Sequence, residues 1–584
     1  MNYNYKNINL KLIQNSNIKK LEKISNFIRS FLISSVSKTG GHIGANLATI
    51  ELTVALHKFF KSPIDKIVFD TGHQGYTHKI LTGRITKFSS LNKYKGLSRF
   101  IKRSESQHDT IDASHAGTAL SISSGLAFKY MNSKKKVCVV CGDGSFNEGM
   151  AFEALNFLAD KKIPLTIVIN DNEISISKNI GAISNLFTKG NNKKAKNFFK
   201  SMGFDYHFVK DGHNIKEIIK ALNKTKSSKN ISVIHLKTTK GKGLEISRKH
   251  RYKMHFSMPF DPKTGKGASP TIIGSTYGKL ISKKLESLLK KNNKVFLITP
   301  ATPYASYLDD LIDNYPKRII DVGMAEQHAV GFASGLSLNK LKPIVCIQST
   351  FLQRAYDQIL HDLAFMNLPV TILSTRSGFS GYDSPTHHGL YDIAYLRSIP
   401  NLEIYYPLTI KNTFELIKKK LTRSNGPQII LQPYEPIEKN IEHIVLSKNK
   451  NYSKELIEIF RNKKQKLIVV CLPNLLSKCI QMYKNNKFKF NLIVAQKIKP
   501  FPVLKFKEKI KEAKKIVVVE EGTISGGLGS IISEIISDLK IDKQLLRIGV
   551  NDKFIDAGNK NECSIEAGIN INQLEKKIIN FINR

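Results

Sequence analysis

Residues 137–174 read VCVVCGDGSFNEGMAFEALNFLADKKIPLTIVINDNEI. Val137 to Cys141 is a short apolar run of the kind that forms a buried strand, and Gly142-Asp143-Gly144 breaks it. From Phe146 to Ala159 the apolar residues Phe146, Met150, Ala154, Leu155 and Leu158 recur at helical spacing. Ile163 to Ile169 predicts a second buried strand, ending in Asn170-Asp171-Asn172. Two neighbouring parallel strands thus deliver polar residues at their C-terminal ends, where open α/β sheets bind ligands. The Asp143 carboxylate and the Asn172 amide oxygen, completed by a main-chain carbonyl and diphosphate oxygens, make a hard oxygen site suited to Mg2+. Gly142 and Gly144 let a phosphate approach the backbone at the start of the helix.

Working outward, the 584 residues are too many for one core and imply about three domains. The formal charge is +44, from 91 Lys and Arg against 47 Asp and Glu. The excess is mostly lysine spread along the chain, without a nucleic-acid-binding motif, so no specific nucleic-acid partner is expected. Six cysteines give no disulfide framework, and Cys138 and Cys141 read as core residues of a strand. No run is long and apolar enough for a membrane span, and the first twenty residues lack the apolar segment of a secretion signal. The expectation from composition is a folded cytoplasmic protein.

Toward the N-terminus, residues 17–36 predict a helix ended by Ser37-Lys38-Thr39-Gly40-Gly41-His42. Leu47 to Phe60 predicts another, and Lys66 to Asp70 a strand running into Gly72-His73-Gln74-Gly75-Tyr76. Asp112 to Thr118 is a polar turn before a helix of small residues. Beyond the central stretch, residues 178–200 are polar, with a loop at Gly190-Asn191-Asn192. Asp211-Gly212-His213 reads as a short strand, followed by a helix from Ile215 and a strand at 231–236. Lys237 to Gly267, basic and rich in glycine, reads as an interdomain linker carrying His255. Alternation of strand and helix resumes after 272, and a charged linker is expected near 436. The resulting expectation is an α/β protein with mainly parallel sheets and three domains, at 1–266, 267–436 and 437–584.

The GDG turn followed by a later NDN resembles the thiamine-diphosphate motif of the transketolase superfamily. Further stretches make the resemblance narrower: SVSKTGGH, DTGHQGYTHKILTGR, CGDGSFNEGMAFEALN, MAEQHAV and STFLQRAYDQILHD. Together they resemble the 1-deoxy-D-xylulose-5-phosphate synthase family from about residue 34 to 398, with weaker similarity through EEGTISGGLGS. The resemblance implies a transketolase-like fold of three α/β domains, a homodimer, and thiamine diphosphate with Mg2+ as cofactors. It implies decarboxylating condensation of pyruvate with D-glyceraldehyde 3-phosphate, in service of isoprenoid, thiamine and pyridoxal precursors. Asp143, Asn172 and the main-chain carbonyl of Ile174 would hold the metal. His73, Ser114, His115, Ala116, Gly144, Ser145 and Asn172 would contact the cofactor. Glu326 would donate a hydrogen bond to the cofactor's pyrimidine and so generate its base. His42 and His255 would transfer protons or touch substrate. Arg376 would bind the acceptor's phosphate, with Asp383 and His387 at its aldehyde and hydroxyl.

Three departures from that family pattern stand out. Gln348 replaces an expected tyrosine, and Leu431, Gln432 and Tyr434 fall where arginines and a tyrosine are expected around the acceptor phosphate. Losing one charged phosphate partner costs about 1.5–3 kcal/mol. The segment after NDNEISIS is short, and Leu244 stands where the pattern has tyrosine. The cofactor half of the site therefore reads as intact and the acceptor half as altered. The alternative is a related thiamine-diphosphate transferase that uses another aldehyde acceptor.

Overall fold

Apolar strand segments alternating with amphipathic helices build three sheets in the computed structural model, which describes residues 8–175, 177–187, 192–226, 228, 230–267, 276–422, 426–434 and 455–584. In the first sheet, β1 (Lys66–Phe69), β2 (Val137–Gly142), β3 (Thr166–Asp171), β4 (Asp205–Val209) and β5 (Ser232–Lys237) lie in the order β1-β2-β3-β5-β4. All its pairings are parallel. Gly142 lies opposite Asn170, so β2 and β3 end at one level, with Asp143 and Asn172 just beyond.

Parallel sheets need cover on both faces, and successive side chains of a strand point to opposite faces. Cys138, Val140 and Val168 accordingly join one core with Leu21, Ile24 and Ile28 of the helix Ile18–Thr39. Val139, Cys141, Ile167 and Ile169 join the other with Leu155 and Leu158 of the helix Gly149–Lys161. Both cysteines are buried and unbridged, as a core reading requires.

The second sheet is built from β6 (Val295–Thr299), β7 (Ile319–Asp321), β8 (Lys342–Gln348), β9 (Thr371–Ser377), β10 (Glu403–Tyr405) and β11 (Gln428–Pro433). The C-terminal part adds β12 (Leu456–Phe460), β13 (Leu467–Cys471), β14 (Asn491–Ala495), β15 (Lys497–Lys499), β16 (Lys515–Thr523) and β17 (Gln544–Val550). The second sheet has the order β15-β10-β11-β9-β8-β6-β7 and the third β12-β14-β13-β16-β17. The two antiparallel pairings, β15 on β10 and β12 on β14, both involve edge strands, so the α/β class with mainly parallel sheets holds. The chain forms two compact units: one holds the N-terminal part with Val322–Ala325, the other holds the second and third sheets.

Several local expectations are corrected. The helix expected over Leu47 to Phe60 is two helices, Ile43–Ala48 and Ile50–Phe59, meeting at Thr49, whose hydroxyl bonds Gln74 O at 3.2 Å. Phe146 lies in a 3-10 turn, Asp143–Asn147, and the α-helix begins at Gly149 after the extended Glu148. That break changes the helical phase, and Met150 is exposed rather than inward. Asp211 to His213 is a turn; the strand is Asp205–Val209, upstream of it. The segment 237–267 is not a linker but part of the first unit: Gly41 N and O both bond the main chain of Ser257, at 2.8 and 2.9 Å. Gly190 and Asn191 of the expected loop, and the charged segment expected near 436, lie outside the described residues.

Candidate active site

At the end of β2 the buried Asp143 carboxylate accepts hydrogen bonds from the main-chain N–H of Gly144, Asn172 and Glu173, at 2.9, 3.1 and 2.7 Å. The two strand ends are thereby locked together. Burial and the nearby Asp171 carboxylate push the Asp143 carboxyl up to about 7. Such a group gains from a cation, which would restore its charged form. The Asn172 amide oxygen is buried without a hydrogen-bond partner among the described residues, which is the state of a ligand atom awaiting its ion. Asp171 is fixed separately. Burial raises it, but His235 at 2.8 Å and Lys237 at 2.7 Å outweigh burial and hold its carboxyl low. A Cβ at Gly144 would stand 2.6 Å from the Ser175 Cβ and 2.9 Å from the Met324 Cε, so only glycine fits there.

His42, His73 and His255 converge. Their ring centroids are 5.4 Å apart for His42–His73, 5.4 Å for His42–His255 and 5.0 Å for His73–His255. Local backbone bonds explain the convergence. Asn46, one turn along the helix from His42, donates to His42 O and His73 O, both at 2.7 Å, and accepts from Tyr76 N at 2.8 Å. The segment bearing His255 is held by the Gly41–Ser257 pair and by Gly44 N on Met254 O at 3.1 Å. Burial, then the charge of Lys240, pushes His73 down to about 3; burial with Lys240, His73 and His42 pushes His255 well below its ordinary value. Both rings are neutral at physiological pH, and His73 Nδ1 is a buried nitrogen without a partner among the described residues.

Lys240 was not singled out by the sequence. Its buried ammonium bonds Ile174 O at 3.2 Å, Ser175 O, and His255 Nδ1 at 3.2 Å. Burial pushes it down to about 7, against the attraction of Asp143. The Ile174 carbonyl, expected as a metal ligand, thus already accepts from a lysine. Among the described residues no three His, Cys, Asp or Glu side chains cluster as a metal site, so a cation here would add amide and main-chain oxygens to the Asp143 carboxylate.

Ser114, His115 and Ala116 lie half-buried in the turn before the helix Ala119–Phe128. Asp70, at the end of β1, holds that turn: its carboxylate accepts from Gly117 N at 3.1 Å and Ala119 N at 3.2 Å, and also from the Ser145 hydroxyl. One carboxylate therefore ties the 114–116 turn to the 143–145 turn. Asp70 and Asn46 are positioning residues that sequence reasoning left without a role, although Asp70 opens the DTGHQGYTHKILTGR stretch, because what they do is hydrogen-bond distant backbone.

In the second unit, Glu326 opens the helix Glu326–Leu338 and is buried. Burial raises its carboxyl against the pull of Arg354, whose guanidinium is 3.9 Å away. Arg376, at the C-terminal end of β9, sits at φ +63° beside Asp383 at 3.6 Å, with the Tyr434 ring centroid 5.3 Å from its guanidinium carbon. His387 packs edge-on to Phe351, 5.7 Å between centroids, and its loop is tied to the 349–352 turn by the Thr350 hydroxyl on Thr386 O at 2.6 Å. Leu431, one of the departures, is fully buried in β11, and Gln432 donates to the Thr413 hydroxyl at 2.9 Å. Of these substituted positions it is Tyr434 that meets Arg376.

The sequence matches three family models: 1-deoxy-D-xylulose-5-phosphate synthase over residues 6–196, the transketolase pyrimidine-binding domain over 274–436, and the transketolase C-terminal domain over 458–574. It is similar to the 1-deoxy-D-xylulose-5-phosphate synthase of Alkaliphilus oremlandii, 36% identical over 96% of this chain and 96% of that one. It is likewise similar to that of Clostridium acetobutylicum, 35% identical over 97% and 98%. A solved transketolase from Campylobacter jejuni aligns over 97% of this chain and 100% of its own at 16% identity, with a TM-score of 0.42 that is too low to weigh. Full-length similarity to the named synthases, spanning every strand end described above, places this chain in the 1-deoxy-D-xylulose-5-phosphate synthase family.

Proposed function

We propose that this chain condenses pyruvate with D-glyceraldehyde 3-phosphate, with loss of carbon dioxide, to give 1-deoxy-D-xylulose 5-phosphate, using thiamine diphosphate and Mg2+. The observation that carries the reading is membership of the synthase family over nearly the whole chain. The site residues fit the cofactor. Asp143, the partnerless Asn172 oxygen and the Ile174 carbonyl would hold Mg2+. Gly144, Ser145, His73 and the 114–116 turn would surround the diphosphate and ring system. Thiamine diphosphate, when bound, supplies the nucleophilic carbon and the electron sink that let pyruvate lose carbon dioxide.

The chain's own groups do the rest. Glu326, whose carboxyl burial raises, donates its proton in a hydrogen bond and takes it back. His42 and the neutral His73 and His255 exclude water and move protons at substrate oxygens. Lys240 adds a donor that exchanges charge near neutrality. Arg376, Asp383 and His387 orient the acceptor aldehyde. Two copies form the working enzyme, in the cytoplasm, with its product serving isoprenoid and thiamine precursors. The test is product identification. Pyruvate labelled at C2 and C3 is incubated with glyceraldehyde 3-phosphate, thiamine diphosphate, Mg2+ and the protein. The expected result is a phosphorylated ketose carrying both labels; labelled acetaldehyde or acetate alone would rule the reading out.

A further inference from the structure

The surroundings of Arg376 differ from those of an open anion site. The guanidinium is buried and paired with Asp383 at 3.6 Å, and the Tyr434 ring lies over it at 5.3 Å. Gly381 also lies close to the ring: a Cβ there would be 3.8 Å from both the Tyr434 Cζ and its hydroxyl oxygen. Tyr304 and Tyr307 are buried in the same cluster and interact electrostatically with Arg376. The charge of the arginine is therefore already matched by one carboxylate, and a phenol ring lies beside it. Arg376 Nε is a buried N–H donor with no hydrogen-bond partner among the described residues. A buried donor of this kind gains from one acceptor oxygen. A dianionic phosphate, by contrast, would meet a local group that is close to neutral.

We propose that Tyr434 is a specificity-determining residue of the acceptor site, placing a ring rather than a second cation beside the already paired Arg376, so that the site takes short hydroxyaldehydes and discriminates weakly between phosphorylated and free terminal hydroxyl groups. The proposal rests on the acceptor role of Arg376 given above and names the acceptor class that follows from its surroundings. A cation in place of the ring adds a charged partner for phosphate, and a bidentate one if it is arginine.

The experiment compares holoenzyme saturated with thiamine diphosphate and Mg2+ in five forms: the natural chain, Tyr434→Arg, Tyr434→Lys, Tyr434→Phe and Arg376→Gln. Two quantities are read. One is the ratio of kcat/KM for glyceraldehyde 3-phosphate to that for glyceraldehyde, at fixed pyruvate. The other is the affinity of the holoenzyme for inorganic phosphate by calorimetry. Tyr434→Arg is expected to raise both about tenfold or more. Tyr434→Lys should move both in the same direction by less, and it serves if the arginine variant does not fold. Tyr434→Phe, which keeps the ring, should leave both within about threefold. Unchanged ratio and phosphate affinity in the Arg and Lys variants would overturn the role of Tyr434, while a loss of acceptor turnover in Arg376→Gln would leave the acceptor reading standing. If the natural holoenzyme turns over neither aldehyde, the acceptor reading itself fails and the proposal falls with it.

Discussion

A carboxyl that donates a hydrogen bond must hold its proton, and burial at the start of its helix raises the Glu326 carboxyl in that direction. Glu326→Gln keeps a donor but cannot give up and regain a proton. It should lower turnover about 10²- to 10⁴-fold while thiamine diphosphate binding, followed by calorimetry, persists; near-normal turnover would remove Glu326 from the proton path. Asn172→Ala removes the orphaned oxygen. It should raise the Mg2+ concentration for half-activation at least about tenfold, read from a metal titration, and an unchanged titration would show that Asn172 is not a ligand. Both residues were legible because each is the polar residue of a motif at a strand or helix end. Lys240, Arg354 and Tyr434 were less so. Lysine is abundant here and marks nothing by itself, and the importance of Tyr434 rests on Arg376, which lies far from it in sequence.

At the scale of the element, the strand ends hold the site. Residues at the ends of β1, β2 and β3 are tied by Asp70 and Asp143, and the histidine turns by Asn46. Asn46→Ala removes a donor from the His42 and His73 carbonyls and the acceptor of Tyr76 N–H, although His42 O keeps the Asn46 main-chain N–H at 3.4 Å. A cost of about 3 kcal/mol in urea unfolding is expected, with kcat reduced because His42 and His73 lose their common brace. A cost near zero would mean that water replaces the amide. The strands of the first sheet were readable from apolar runs, since a parallel sheet buries both faces. The helix after β2 was misphased because a 3-10 turn and an extended Glu148 intervene, and hydrophobic periodicity does not see a backbone break. The segment 237–267 was read as a linker for a related reason: it is polar and rich in glycine, yet it is anchored by main-chain bonds to Gly41 and Gly44, which any sequence can make.

For the whole molecule, burying neutral histidines ties stability to pH. His73 titrates near 6.5 when unfolded and at about 3 when folded. Between those values the unfolded chain binds a proton that the folded one refuses, so stability is present above 6.5 and is lost as pH falls toward 3. The slope from this residue is about 1.4 kcal/mol per pH unit. From pH 7 to pH 5 the cofactor-free protein should therefore lose about 2 kcal/mol relative to His73→Asn, measured by paired urea titrations. Parallel pH profiles for the two proteins would place a proton on His73 in the folded state. The central claim, however, concerns chemistry: that pyruvate is decarboxylated by this protein and its remaining two carbons passed to a phosphorylated aldehyde. The most direct measurement is the rate of carbon dioxide release from pyruvate by the protein with thiamine diphosphate and Mg2+, with and without D-glyceraldehyde 3-phosphate. The account predicts release that depends on the aldehyde, matches 1-deoxy-D-xylulose 5-phosphate formed mole for mole, and disappears in Glu326→Gln. Release that is indifferent to the aldehyde and leaves no phosphorylated ketose would contradict it.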